Sequence, residues 1–187
     1  MKNTVYIGID PGQKGAIAFL DKDKKDKLWI IDMPLLPEKG IDAKTLYEIL
    51  ETKVTFYKDI YVVIEKAQSM PGQSSVAMFN YGGGYHAILA VLQILDIPFE
   101  EVRSNKWKTE FGLSGLKSKK KQGKKKEKMT SEEKKNAQKK RKEMAVKIAI
   151  QLFPKMKDSF FTPKGKMLDG RAEALLIAEY CKRKMGK

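Results

Sequence analysis

Residues 4–12 read Thr4-Val5-Tyr6-Ile7-Gly8-Ile9-Asp10-Pro11-Gly12, and the organisation of the chain can be worked out from them. Valine and isoleucine recur at every second position, which is the period of a β-strand. An aspartate followed by Pro-Gly then ends the run, as is typical of a turn. We therefore expect an apolar strand that places the Asp10 carboxylate at one edge of a sheet.

Four more strands are predicted after it. Ala16–Leu20 and Leu28–Met33 extend the first strand into an antiparallel meander, because only short polar turns separate them. Ile60–Ile64 is continuously apolar, as in a strand buried on both faces, and Glu65 follows it. Pro98–Val102 is a shorter fifth strand. Helical spacing predicts helices at Asp42–Phe56, Tyr85–Leu95, a short segment from Ser104, Thr130–Leu152 and Gly170–Arg183.

These elements predict an α/β fold in which helices flank a mixed five-stranded sheet, with the meander antiparallel and the later strands parallel. We expect a single domain over residues 1–187. The longest apolar stretch, Ala87–Leu95, is far shorter than the roughly 20 residues that cross a bilayer. The first residues lack the apolar core of a secretion signal. Cys181 is the only cysteine, which excludes an intrachain disulfide and a cysteine zinc cage.

The positive charge is concentrated in one segment. The chain has 38 Lys and Arg against 23 Asp and Glu, a net charge of +15, and Lys117–Lys142 alone carries 14 basic and three acidic residues. Such a run repels itself, so we predict a mobile lysine-rich loop at 117–130. Thr130–Glu133 then fits a capping box that starts the next helix. The segment is either a phosphate-contacting arm or a solvated linker.

Two carboxylates follow strands that are expected to be neighbours. If the first and fourth strands pair, Asp10 and Glu65 lie about 4.8 Å apart at the same edge. Ionised carboxylates so close repel each other and favour a bound cation. Each also has an ordinary explanation, since Asp10 fits a turn and Glu65 either reaches solvent or pairs with Lys66.

The last helix carries two more acids on its apolar face. Asp169 and Glu173 are separated by one helical turn and align with Leu176, so packing the helix turns both carboxylates inward. The alternatives are a capping role for Asp169 and a surface pair between Glu173 and Arg171 or Lys182. Inward acids without such partners would suit hard divalent cations.

Four inward acids next to a basic segment indicate a metal-dependent nuclease. A pair of Mg²⁺ ions, with Mn²⁺ as a substitute, can hold both the attacking water and the leaving oxygen of a phosphodiester. This chemistry needs no histidine. His86, the single histidine, lies on an apolar helix and is expected to be a core or interface residue.

The same residues resemble those of the RuvC family of Holliday-junction resolvases (crossover junction endodeoxyribonucleases), within the ribonuclease H-like nucleases. The matching pieces are Gly8–Gly12, Val63–Glu65 and Asp169–Ala174. Trp107-Lys108 and Gly82–Gly84 look similar to viral, phage and organellar members. The resemblance implies a ribonuclease H-like sheet and a homodimer that nicks two opposed strands of a four-way DNA junction, using two Mg²⁺ ions per active site.

Carried over by position, the resemblance implies that Asp10, Glu65 and Asp169 are catalytic metal ligands. Glu173 is the fourth candidate, four residues after Asp169 where many bacterial members have an acid after three. The resemblance also implies an intracellular, reducing compartment that contains DNA, such as the cytoplasm of a host cell for a viral or phage protein, and no secretion.

The expected DNA contacts surround these acids and extend along the lysine-rich loop. They are Lys14, Gln68, Met70, Phe79, Lys106, Lys108, Lys119, Lys120, Lys121, Lys124, Lys125 and Lys126. Residues 68–80 are predicted to form a loop beside the active site, where Met70 and Phe79 either wedge against unstacked bases or pack in the core.

The helix at Tyr85–Leu95 is apolar around nearly its whole circumference. A homodimer interface would cover the part that the sheet leaves exposed, and a neighbouring helix of a monomer is the alternative. Two other functions remain open. One is a catalytically inactive module that binds DNA junctions, and the other is a ribonuclease H acting on RNA–DNA hybrids.

Overall fold

The sheet has the five predicted strands. The computed structural model describes residues 4–22, 28–38, 40–68, 72, 74–115 and 130–186. The strands are β1 (Thr4–Ile9), β2 (Ala16–Asp21), β3 (Leu28–Asp32), β4 (Asp59–Glu65) and β5 (Phe99–Val102). Their order is β3-β2-β1-β4-β5, with the first three antiparallel and with β4 parallel to both β1 and β5. The predicted meander and mixed sheet are confirmed.

Helices cover both faces of this sheet. They are α1 (Ala43–Val54), α2 (Ser75–Ile94), α3 (Ser104–Glu110), α4 (Ser131–Leu152) and α5 (Asp169–Met185), with 3₁₀ turns at Leu113–Gly115 and Pro154–Phe160. Asp42 caps α1 by accepting a hydrogen bond from the Thr45 amide at 3.0 Å. The predicted capping box at the start of α4 is confirmed, since Thr130 and Glu133 exchange side-chain and backbone hydrogen bonds.

Helix α2 begins well before the predicted Tyr85. The predicted loop over residues 68–80 is therefore wrong from Ser75 onward, and Gly82–Gly84 lie inside the helix. Ser74 caps this helix by accepting from the Ala77 amide at 3.2 Å. Glycine disfavours a helix by about 1 kcal/mol per residue. Packing of the buried face that includes Ile88 against the sheet outweighs this local preference.

The alternation in β1 divides the core into two layers. Val5, Ile7 and Ile9 pack with α1 and α2, while the other face meets α5. At Gly8 an added Cβ would overlap the α5 backbone at Ala174 and Ala178. The glycine therefore lets α5 lie directly on β1, and this contact fixes the first turn of α5 beside the end of the strand.

Two predictions fall partly or wholly outside the described residues. The lysine-rich loop predicted at 117–130 has only Thr130 among them, and the division of the chain into a single domain stays a prediction. Among the helices that the structure describes, none is both long enough and apolar enough to cross a membrane.

Candidate active site

The parallel pairing of β1 with β4 brings two carboxylates together. Ile9 is in register with Ile64, so Asp10 and Glu65 leave the sheet side by side at the carboxyl ends of their strands. Asp10 also accepts a hydrogen bond from the Gly12 amide at 3.3 Å. The Asp10 side chain therefore both stabilises the turn and belongs to the carboxylate cluster.

Glu65 is held by the helix that follows β5. Its Oε2 accepts a hydrogen bond from the Trp107 indole at 2.6 Å, and the Lys108 ammonium lies 3.9 Å from the same oxygen. The alternative pairing with Lys66 is wrong, because Lys66 reaches Glu101 instead, at 3.6 Å. A buried tryptophan N–H therefore orients Glu65 towards the site.

Helix α5 contributes the other two acids from its first turns. Its cap is Leu168, without a side-chain hydrogen bond, so Asp169 is the first helical residue and the predicted alternative of a capping aspartate is wrong. Arg171 does not pair with Glu173, because its Nε and Nη2 donate to the two carboxylate oxygens of Asp32, at 2.6 and 2.7 Å, and its Nη1 donates to the Ser159 carbonyl at 2.9 Å. That bidentate pair ties the start of α5 to the end of β3.

Two lysines lie among the four acids. The Lys108 ammonium is 3.3 Å from Glu173 as well as 3.9 Å from Glu65. The Lys142 ammonium is 2.5 Å from Asp169. The acids that the sequence predicted to lack an arginine partner are thus partly neutralised by lysines from α3 and α4.

Burial and mutual repulsion disfavour charge on the carboxylates. Burial, with the added charges of Glu173 and Glu65, raises the pKa of Asp10 to about 7. Burial also raises the pKa of Glu173, against the opposing effect of Lys108. The pKa of Tyr81 rises to about 12, through burial and then through the charges of Asp10, Glu65 and Glu173. The four acids therefore share one electrostatic environment.

The chemistry of this donor set fits a hard divalent cation. Four carboxylates present oxygen ligands only, which is what Mg²⁺ prefers, and a cation would stabilise the charged form of Asp10 against the burial and repulsion that raise its pKa. As placed, within the described parts of the chain, no three acidic, histidine or cysteine side chains form a complete metal-binding set. Lys108 and Lys142 instead take the contacts that a cation would make.

The residues predicted to contact DNA divide into three groups. Lys14, Gln68 and Phe79 are exposed, and Phe79 is 81% exposed, so its alternative role in core packing is wrong. Lys106 is exposed and lies 3.7 Å from Glu100, whereas Lys108 lies within the acid cluster. The remaining candidates lie outside the described residues: Met70, Lys119, Lys120, Lys121, Lys124, Lys125 and Lys126.

Sequence reasoning missed Lys142 and Tyr81 as neighbours of the acids. Lys142 lies one helical turn before the buried Val146, and Tyr81 lies one turn before the buried Tyr85. Asp169 was predicted to point inward because it extends an apolar stripe of its helix. The same criterion, applied to α4 and α2, would have identified Lys142 and Tyr81.

Comparison with known proteins supports the fold. The sequence matches no protein-family model and no curated protein. Its structure is similar to that of Thermus thermophilus RuvC in complex with a Holliday junction substrate, with a TM-score of 0.53 and 13% identity over 97% of this chain and 96% of that one. A second Thermus thermophilus RuvC structure matches with a TM-score of 0.51 and 16% identity, again over 97% of this chain and 96% of that one. The predicted RuvC-like, ribonuclease H-like fold is thereby confirmed.

Proposed function

We propose that the protein is a Mg²⁺-dependent endonuclease that resolves four-way DNA junctions by paired, symmetric nicks. The observation that supports this most directly is the meeting of Asp10, Glu65, Asp169 and Glu173 beyond the ends of β1 and β4. This edge of an α/β sheet is where ligands bind. A fold similar to that of a junction-bound RuvC favours branched DNA as the substrate.

The four carboxylates would hold two divalent cations. When bound, Mg²⁺ supplies a Lewis acid for the phosphate and lowers the pKa of a water nucleophile. Trp107 keeps Glu65 in position through its indole N–H. The contact between Arg171 and Asp32 keeps the start of α5, and with it Asp169, against the sheet. These supports limit the movement of the ligands, as hydrolysis of a phosphodiester to 5′-phosphate and 3′-hydroxyl ends requires.

The exposed residues around the acids are proposed to contact the DNA. Lys14 follows Asp10 in the turn, and Gln68 follows β4, so both lie at the carboxylate edge of the sheet. Phe79 projects into solvent from the second turn of α2, where an aromatic ring can stack on an unpaired base. The lysine-rich segment before α4 adds positive charge for the phosphates.

The outer face of α2 is proposed as the homodimer interface. Gly83, His86, Ala90 and Ile94 follow helical spacing on the side turned away from the sheet, and Ile94 is 72% exposed. His86 is exposed, so its predicted core role is wrong and the interface role remains a prediction. Gly83 and Ala90 lie two helical turns apart on this side, and such small residues allow a second helix to approach closely. Two copies would present two cutting sites to opposed strands.

Ile94→Glu is expected to weaken this dimer. Burying a carboxylate in an apolar interface costs several kcal/mol, which corresponds to a rise in the dimer dissociation constant of roughly 100-fold or more. Sedimentation equilibrium would measure it. Gln151→Glu adds the same charge at an exposed position on α4 and should leave the dimer unchanged. Dimers of equal strength in Ile94→Glu and the parent protein would place the interface elsewhere.

The proposed function is tested with three labelled substrates: a synthetic four-way junction, a linear duplex of the same sequence and an RNA–DNA hybrid. Junction cleavage that requires Mg²⁺, with two symmetric nicks and little cutting of the others, is the expected result. Binding to the junction without cleavage under any divalent cation would indicate the inactive junction-binding module. Preferential cleavage of the hybrid would indicate a ribonuclease H.

A further inference from the structure

The two lysines in the acid cluster are held very differently. Lys108 contacts Glu65 and Glu173, and its ammonium lies 4.8 Å from the centre of the Trp107 ring. Its side chain is 24% exposed. The Lys142 ammonium forms an ion pair with Asp169 at 2.5 Å, and its side chain is 40% exposed. Lys108 is thus packed in place, whereas one ion pair, among the residues that the structure describes, holds the end of Lys142.

The backbone that carries Lys142 is nevertheless firmly placed. Val146 and Ala149 continue the same face of α4 and are buried in the core with α5. Lys142 is the next residue of that face towards the start of the helix, so its Cα is fixed and its four-carbon side chain bridges to Asp169. The ammonium can leave that oxygen by side-chain rotation alone, without a shift of the helix.

The charges of the cluster make this contact replaceable. Four carboxyl groups face two ammonium groups, one of which contacts both Glu65 and Glu173 and the other Asp169. A divalent cation carries twice the charge of an ammonium and binds the same oxygens. Because the Lys142 ammonium lies 2.5 Å from Asp169 Oδ2, a cation that binds this oxygen and Lys142 compete for the carboxylate.

We propose that Lys142 is an exchangeable counter-ion of the candidate metal site, neutralising Asp169 in the metal-free protein and leaving it when a divalent cation binds. Lys108 stays in place in both states. The inference rests on the proposed function, because it takes the four acids to be metal ligands. It assigns Lys142 a positioning role, since the lysine keeps the metal-free carboxylates from repelling α5 away from the sheet.

Removal of the competitor should tighten metal binding. Lys142→Gln is expected to lower the Mg²⁺ dissociation constant about tenfold, equivalent to roughly 1.4 kcal/mol. Lys142→Arg keeps the charge and should stay within about threefold of the parent protein. Lys140→Gln is the matched control, because Lys140 is exposed on the opposite side of α4 and its loss changes the net charge by the same amount.

Isothermal titration calorimetry of the full chain with MgCl₂, in the absence of DNA, measures these affinities. Thermal unfolding in EDTA and in Mg²⁺ gives a second readout. In EDTA, Lys142→Gln should unfold at a lower temperature than Lys140→Gln. Added Mg²⁺ should raise the unfolding temperature of Lys142→Gln by more than that of Lys140→Gln. Equal Mg²⁺ affinities for Lys142→Gln and Lys140→Gln would overturn the inference and leave the proposed function standing. If the parent and all three variants fail to bind Mg²⁺, the metal site and the inference fail together.

Discussion

Asp10→Asn is expected to reduce Mg²⁺-dependent junction cleavage by about 1,000-fold or more, which corresponds to roughly 4 kcal/mol of transition-state stabilisation. Asparagine has the size of aspartate, and its carbonyl oxygen can still accept the hydrogen bond that the Gly12 amide donates at 3.3 Å. The turn should therefore survive while a negative ligand is lost. Single-turnover cleavage at saturating protein measures the effect.

Junction affinity is expected to change much less than the rate. Asp10 contributes no positive charge, and contacts between basic side chains and phosphates dominate binding to DNA. Titration of labelled junction in Ca²⁺ or EDTA should therefore give dissociation constants within about threefold of the parent value. Asp59→Asn is the matched control, because Asp59 begins β4 at the opposite end of the strand from Glu65. Parent-like cleavage by Asp10→Asn would contradict the site assignment.

The same variant should show a pH-dependent gain in stability without metal. Burial and the neighbouring acids raise the pKa of Asp10 from 3.8 to about 7 in the folded protein. The folded state thus holds a proton that the unfolded chain releases above about pH 4, so this residue's contribution to stability is complete below pH 4 and is lost as the pH rises through 7. Asparagine has no such proton to lose.

Urea unfolding in EDTA measures this gain. The excess stability of Asp10→Asn over the parent protein should grow from pH 5 to pH 7 and level off above about pH 7, with a gain of about 2–4 kcal/mol. The same urea unfolding experiment also verifies that Asp10→Asn is folded under the conditions in which its cleavage is measured. A constant difference at all pH values would mean that neither burial nor the other acids raise the pKa of Asp10 in the folded protein.

The strands and the acids that follow them could be predicted from local sequence. The alternation in β1 and the continuous apolar run in β4 are hydrophobic patterns that can be recognised from neighbouring residues alone. Asp10 and Glu65 meet because parallel strands end at the same edge. The inward direction of Asp169 and Glu173 followed from the stripe that they share with the buried Leu176.

The neutralising contacts could not be predicted in the same way. Lys108 reaches Glu173 from a helix that is remote in the sequence, and no periodic pattern encodes that distance. The start of α2 at Ser75 was missed because glycine and polar residues lower the local helix propensity, whereas packing on the sheet decides the outcome. Tertiary contacts therefore determine which cations face the acids.

Gly8→Ala is expected to have the largest effect on stability, a loss of about 3 kcal/mol or more. The added methyl group would overlap backbone atoms of Ala174 and Ala178 and would lie 2.8 Å from the carbonyl carbon of Ile177. No side-chain rotation relieves a clash with backbone, so α5 must move away from β1. Urea unfolding would measure the loss. Gly82→Ala is the matched control, since an added Cβ there meets nothing within 4 Å.

The displacement of α5 also predicts a loss of cleavage in the molecules that remain folded. Asp169 and Glu173 belong to α5, whereas Asp10 and Glu65 belong to the sheet, so a shift of the helix separates the two pairs of carboxylates. At a temperature where Gly8→Ala is still folded, its cleavage rate should fall at least tenfold, since displacements of about 1 Å cost that much or more.

Gly82→Ala should instead be slightly more stable than the parent protein, by about 0.5–1 kcal/mol, because alanine favours a helix interior. If Gly8→Ala matched the parent in both unfolding and cleavage, α5 would not lie directly on β1, and the geometry that joins the four acids would be wrong.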